Sequence, residues 1–459
     1  MVTVLAALVM AGGILMLANV IFSTPRLDRV EEKDRALALI VTRTMDLEYA
    51  IAQTPAWEHV IYEATTGWAD ELAESVSWYE ELAEVSHEPL TLVYLSVLEG
   101  EAGRPELVRD EIKGWDQLPN PFPVYARLLQ AAYLDQAAIG VDEATALHDE
   151  LEREVPDGWF GDRLAIGLAA KAGDQAWLAE AQDNLATRGE ALLWRARAML
   201  AVDLGIILLG IVLAVFLLAL VRRDTAALAV GAAAVPPPWP ASVGAAVLLR
   251  GGALWISLLI AVMVFAAESV RVLAVPLTYL PLLLLARRHL LEPAGLGLRD
   301  GLGLAPGPSG WGRCWRLMAV VASAGLLGEW MIILAAEPAG FSSHWTEGFD
   351  EGMIWGDPAR LASSLVETIV FAPVFEEIVF RGLFFATLRR RFGFVSSALI
   401  SAIVFAVAHG YGLLGFASVL WSGMLWAWVY ERSGSVLPGI LAHMLNNAVV
   451  CISIILFLR

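Results

Sequence analysis

Two adjacent carboxylates in an otherwise apolar run, Phe375-Glu376-Glu377-Ile378-Val379-Phe380-Arg381, carry the strongest chemical signature in this chain. An ionisable residue inside an apolar span is costly and marks a functional site by default. Two neighbouring carboxylates there do not both stay charged and unpaired. Glu377 and Arg381 are four apart and share a helix face, where they can form an ion pair. Glu376 points about 100° away and remains free to act as an acid or base. A buried structural pair also accounts for Glu377 and Arg381 without any catalysis. Two further clusters follow: Phe405-x-x-x-His409 closes one apolar run, and His443-x-x-x-Asn447 lies in the last one. Each alone reads as packing, because His and Asn can join neighbouring membrane helices by hydrogen bonds. On three spans, in this order, packing is a poor explanation.

The elements that must position these residues are apolar and long. The chain has 459 residues, of which 58% are apolar and only 17% charged, against the usual quarter. Mean hydropathy is +0.62. About nine runs could cross ~30 Å of hydrocarbon: 2–22, 200–221, 252–267, 272–286, 317–336, 362–388, 395–410, 414–430 and 436–458. The expected fold is all-α, a polytopic membrane helical bundle with an extramembrane helical domain. Its expected parts are a signal anchor (1–23), a soluble domain (24–198), membrane helices (199–289) and the core that holds the clusters (290–459). The sixth, seventh and ninth spans stand out because they contain ionisable residues.

Basic residues beside spans mark the inner side of a membrane. With Arg222 and Arg223 inside, so are Arg250, Arg287, Arg288, Arg299, Arg313, Arg316, Arg389, Arg390, Arg391 and Arg432. Only Arg271, Arg360 and Arg459 fall outside. The 24–198 block is then external, which in the inner membrane of a bacterium means the periplasm. Arg26, Arg29, Lys33 and Arg35 point the other way, but long domains translocate largely regardless of such charges. The first run lacks a cleavage site and a basic leader, which predicts an uncleaved anchor.

Residues 24–198 hold most of the acidic side chains behind the net charge of −18. That balance excludes nucleic acid as a partner, since phosphate binding needs clustered Lys and Arg. Glycine turns at Gly103, Gly140 and Gly173 recur near the period of tetratricopeptide-type hairpins. An irregular helical bundle fits equally well. The block is expected to bind a protein ligand or to regulate. Cys314 and Cys451 are the only cysteines, too few for a disulfide framework or a cysteine zinc site.

Glu376-Glu377-x-x-x-Arg381, Phe405-x-x-x-His409 and His443-x-x-x-Asn447 together resemble the motif set of the CPBP family of CAAX proteases and bacteriocin-processing enzymes. Gly297-Leu298-Arg299 also suits that family. The resemblance covers roughly residues 290–459 and implies an intramembrane endopeptidase acting on membrane-associated proteins or peptides in the bilayer. It implies that Glu376 and His409 hold and deprotonate a water, and that His443 and Asn447 stabilise the oxyanion. Glu377, Arg381 and Phe405 would support them. No cofactor is required in this scheme. The alternative is zinc or another divalent metal on Glu376, His409 and His443, with water as the fourth ligand. Competing functions are a membrane-tethered binding or regulatory protein on a protease-like core, and an ion-coupled transporter. One geometric difficulty stands. At ~1.5 Å per residue, Glu376 and His409 lie about 20 Å from the inner side and His443 about 10 Å. Convergence requires a break around Gly410–Gly415 or a ninth span that starts deeper.

Overall fold

A computed structural model describes residues 1–66, 70–222, 225–265, 273–307 and 310–459. Arg223 and Arg271, two of the charges used to orient the chain, lie outside the described residues. The described residues are helical throughout, with no strand. They form two compact units: 26–199 with 456–458, and 1–25 with 200–455 and Arg459.

The polar unit is a set of short helices between Lys33 and the long helix Gln175–Val221, whose residues from 200 onward belong to the apolar unit. Its core includes three packed rings. Tyr94 stacks on Phe160 at 4.0 Å, and Tyr79 meets Phe160 edge-on at 5.7 Å. Gly103 and Gly173 adopt the left-handed backbone that ends a helix, whereas Gly140 is extended and precedes one. The three glycines therefore do different structural jobs, and the tetratricopeptide expectation is not confirmed.

The apolar unit is a multi-pass membrane bundle built from α1 (Val2–Ser23), α2 (Gln175–Val221), α3 (Ala241–Phe265), α4 (Ala274–Ala286) and α5 (Gly310–Ala336). It continues with α6 (358–388), α7 (Phe394–His409), α8 (Leu413–Ser433) and α9 (Leu437–Leu458). Among the described residues, six helices are long and apolar enough to cross a membrane: α1, α2, α3, α5, α8 and α9. The expected count of about nine is not confirmed. The reasons are local: α4 has 13 residues, α7 has 16, and α6 carries several charges. At ~1.5 Å per residue, α7 reaches only about 24 Å.

Lipid supplies little hydrophobic drive between helices, so close packing through small residues must hold them together. A methyl group on Gly210 of α2 would lie 2.0 Å from Ser323 Cβ of α5, and Ser323 Oγ donates to the Ile207 carbonyl at 3.1 Å. A methyl group on Gly423 of α8 would meet Ala402 of α7 and the Arg381 guanidinium, each at 3.0 Å. Between α7 and α8, Gly410 turns the chain at φ 68°, a conformation that suits glycine.

α6 is the irregular member. Residues Glu367–Phe371 and Glu377–Phe385 are wound with i→i+5 hydrogen bonds, a feature common at functional sites. The Ala372 amide reaches back to Glu367 in this way. The next bond would join residue 373 to the Thr368 carbonyl, but Pro373 has no N–H to give. The Asn447 side-chain amide takes that carbonyl instead, at 2.9 Å. Further along, Ser401 of α7 donates to the Phe380 carbonyl at 3.1 Å. Neighbouring helices thus satisfy backbone that α6 leaves open, as lipid cannot.

Candidate active site

α6, α7 and α9 bring the sequence-selected residues to one place. Glu376, Phe405, His409, His443 and Asn447 all line a single cavity of about 760 Å³, together with Trp426 of α8. Glu377 and Arg381 do not line it. They lie behind it, each with a side chain only 1% exposed.

The i, i+4 pair forms as the spacing requires, with Arg381 Nη1 2.8 Å from Glu377 Oε1. None of the guanidinium nitrogens is aligned for a hydrogen bond, so the contact is one of charge at short range. Two aromatic faces complete the guanidinium's surroundings. Its Cζ lies 4.3 Å from the Phe405 ring centroid and 4.9 Å from that of Trp426. Such cation–π contacts strengthen once water is excluded.

Glu377 has a second partner. Its Oε1 is 3.3 Å from His443 Nδ1, while His443 Nε2 lies 3.9 Å from Glu376 Oε2. The ring of His443, itself buried, bridges the two adjacent carboxylates. With Nδ1–H directed at Glu377, Nε2 is left facing Glu376. A carboxylate on one ring nitrogen fixes the orientation of the other, as around metal sites and catalytic histidines.

His409 ends α7, and its Nδ1 donates to the Phe405 carbonyl at 2.7 Å, because a carbonyl can only accept. In the neutral ring Nε2 then carries the lone pair, on a side chain that lines the cavity. Glu376 keeps a side chain 20% exposed beside it. Asn447 spends one amide N–H on Thr368 and retains a second. Among the described residues, no group of three His, Cys, Asp or Glu side chains is close enough to hold a metal ion. Glu376, His409 and His443 share the cavity.

The depth difficulty is met by a ninth helix that starts deeper. A methyl group on Gly382 would sit 3.7 Å from Val436 Cγ1, so α9 begins level with Gly382 rather than with the end of α6 at Leu388. One turn further, a methyl group on Gly439 would meet Glu377 Oε2 at 3.2 Å. The loops at this end hold the register through Val230 and Gly231 amides bonded to the Ser433 carbonyl at 2.8 and 3.0 Å. The turn at Gly410 is tight, and α7 is unbroken up to it.

Three residues escaped the sequence reading. Glu329 in α5 and Glu367 in α6 line the cavity, and Asp203 in α2 has a buried Oδ1 with no hydrogen-bond partner. An acid within an apolar run was the available signal, and it places ionisable residues in the second and fifth spans also. Trp426 carries no such signal, since a buried tryptophan in an apolar helix is indistinguishable by pattern from any core aromatic.

Comparison with known proteins adds an independent line. Residues 358–449 match the family described as type II CAAX prenyl endopeptidase Rce1-like. A Bacillus subtilis (strain 168) protein named "Putative membrane peptidase YdiL" is 29% identical over 90 residues, which is 19% of this chain and 36% of that protein. The chain thus spans about a third of the length of the curated relative it matches. No solved structure matches. The matched stretch holds Glu376, Glu377, Arg381, Phe405, His409, His443 and Asn447, and the C-terminal part of this multi-pass membrane protein carries an Rce1-like CAAX prenyl endopeptidase domain.

Proposed function

We propose that this domain hydrolyses peptide bonds of membrane-associated proteins or peptides with a water activated by Glu376 and His409. The observation that carries the reading is the meeting of Glu376, His409, His443 and Asn447 on one cavity large enough for an extended peptide segment. In the proposed reaction the water oxygen attacks the carbonyl carbon while Glu376 accepts its proton. The His409 Nε2 lone pair accepts a hydrogen bond from the water's remaining O–H and orients the nucleophile. The carbonyl oxygen becomes an oxyanion, which accepts hydrogen bonds from the free Asn447 N–H and from His443 when Nε2 is protonated. The C–N bond then breaks, and Glu376 returns its proton to the leaving amine. Glu377 and Arg381 hold His443 and balance charge from behind. No step is routed through a metal.

The test is cleavage of a membrane-tethered peptide by the purified protein. Glu376→Ala is expected to abolish it, and undiminished cleavage would end the assignment. A second reading, ion-coupled transport, draws on Asp203 and Glu329, carboxylates on facing apolar helices. Proton flux into proteoliposomes that disappears in Glu376→Gln would favour it.

A further inference from the structure

We infer that Trp426 is a positioning residue for this reaction: its indole holds the His443 imidazole in the plane that turns Nε2–H toward the oxyanion. The inference rests on the peptidase reading above and extends it to a residue outside the three motifs.

His443 is held at both ring nitrogens, Nδ1 at 3.3 Å from Glu377 Oε1 and Nε2 at 3.9 Å from Glu376 Oε2. Two such contacts fix a line within the ring but leave the ring free to roll about it. A rolled ring would turn its Nε2–H away from an oxyanion in the cavity while keeping its contact with Glu377. A flat surface against the ring removes that freedom. Trp426 supplies it, with centroids 4.0 Å apart and planes only 20° from parallel. The Phe405 ring approaches at 6.0 Å and 85°, so it meets an edge and cannot do the same.

Trp426 is itself held. It is buried, meets Phe405 edge-on at 5.9 Å, and carries the Arg381 guanidinium 4.9 Å from its centroid. The indole therefore touches both groups that converge on Glu377 Oε1, the Arg381 cation and the His443 ring. Its place on α8 also explains why that helix, which contributes no motif residue, must pack against α9 here.

The test uses the full-length protein in nanodiscs with a membrane-tethered peptide. Misplacement of a catalytic group by about 1 Å can cost about 100-fold. Trp426→Leu, which keeps an apolar side chain but no ring plane, is expected to lower kcat by about 10- to 100-fold. KM is expected to change less than kcat: Trp426 lines the cavity, but its proposed role through His443 acts in the transition state. Trp426→Phe restores a plane and is expected to recover most of the loss. An activity-independent readout is histidine-selective NMR, in which the His443 ring signals lie in the shielding zone of the indole. They should move in Trp426→Leu and return part of the way in Trp426→Phe. Wild-type kcat in Trp426→Leu, equal losses in the Leu and Phe variants, or unmoved His443 signals would each overturn the inference. A wild-type protein that cleaves nothing would instead sink the peptidase reading, and the NMR signals would still decide whether Trp426 orients His443.

Discussion

The two units use the same residue types to opposite ends. In the polar unit, Arg188 joins Asp46 through two aligned hydrogen bonds of 2.8 and 3.1 Å and also contacts Asp162. Arg197 grips Glu58 at 2.6 and 2.9 Å. Both guanidinium groups keep contact with water, at 28% and 36% exposure. In the apolar unit, Glu377 and Arg381 are stripped of water, and the arginine has no aligned hydrogen bond. A structural ion pair can be recognised by its satisfied donors. The pair behind the cavity is under-satisfied and shares its carboxylate with His443, and in the proposed reaction it places charge beside Glu376.

The comparison can be broken most forcefully at Arg381. Removing one partner of a buried pair strands the other charge and costs about 3–5 kcal/mol. Arg381→Met should therefore lower the thermal midpoint in detergent sharply as well as abolish cleavage. A stable, active Arg381→Met variant would show that the pair is dispensable. In the polar unit, Arg188→Ala should cost about 2 kcal/mol: Asp46 stays fully buried, but Arg43 remains to offset its charge and Asp162 keeps some contact with water. Hydrogen exchange in the helix Lys33–Ile51 reads this out, and protection lost as steeply as in Arg381→Met would erase the contrast.

A smaller effect is expected from pH. Burial first, with Glu111 and Glu80 adding to it, pushes the Glu99 carboxyl up to about 7. Burial also raises Asp46 and Asp162, with Arg188 opposing it. The folded state then holds a proton on Glu99 that the unfolded chain has released, so stability falls as pH rises from the ordinary glutamate value of 4.5 to about 7. Glu99→Gln should flatten that slope in the exchange of the helix Pro89–Glu101, and an unchanged slope would refute it. The smallest change belongs to Arg287→Ala. Its pair with Glu292 lies in the apolar unit, yet both side chains are more than half exposed. A shift above about 1 kcal/mol there would show that the unit, and not the loss of water, sets the energetics.

Much of the site was legible because it is local. The Glu377–Arg381 pair follows from a four-residue spacing, and the selection of Glu376, His409, His443 and Asn447 follows from apolar context. What joins them was not legible. The contact of His443 with Glu377 depends on where α9 starts, which is set by loop hydrogen bonds between residues 230–231 and 433 that no periodicity encodes. The Asn447 contact with Thr368 depends on i→i+5 winding ahead of Pro373. The helical character of 24–198 was readable from apolar spacing, but its glycine turns do not repeat one geometry, since Gly140 is extended where Gly103 and Gly173 are left-handed. The span count is left unconfirmed where helices are short or charged, because a hydropathy run cannot distinguish a crossing from a buried half-helix.

The central claim is that Glu376 activates water at this cavity. The most direct measurement is cleavage of a membrane-tethered peptide in ¹⁸O-water by the wild type and by Glu376→Gln, with products weighed by mass spectrometry. The account predicts one ¹⁸O in the new carboxyl terminus and a loss of about 10²- to 10⁴-fold in rate for the variant at an unchanged thermal midpoint. Equal rates for the two proteins would contradict it.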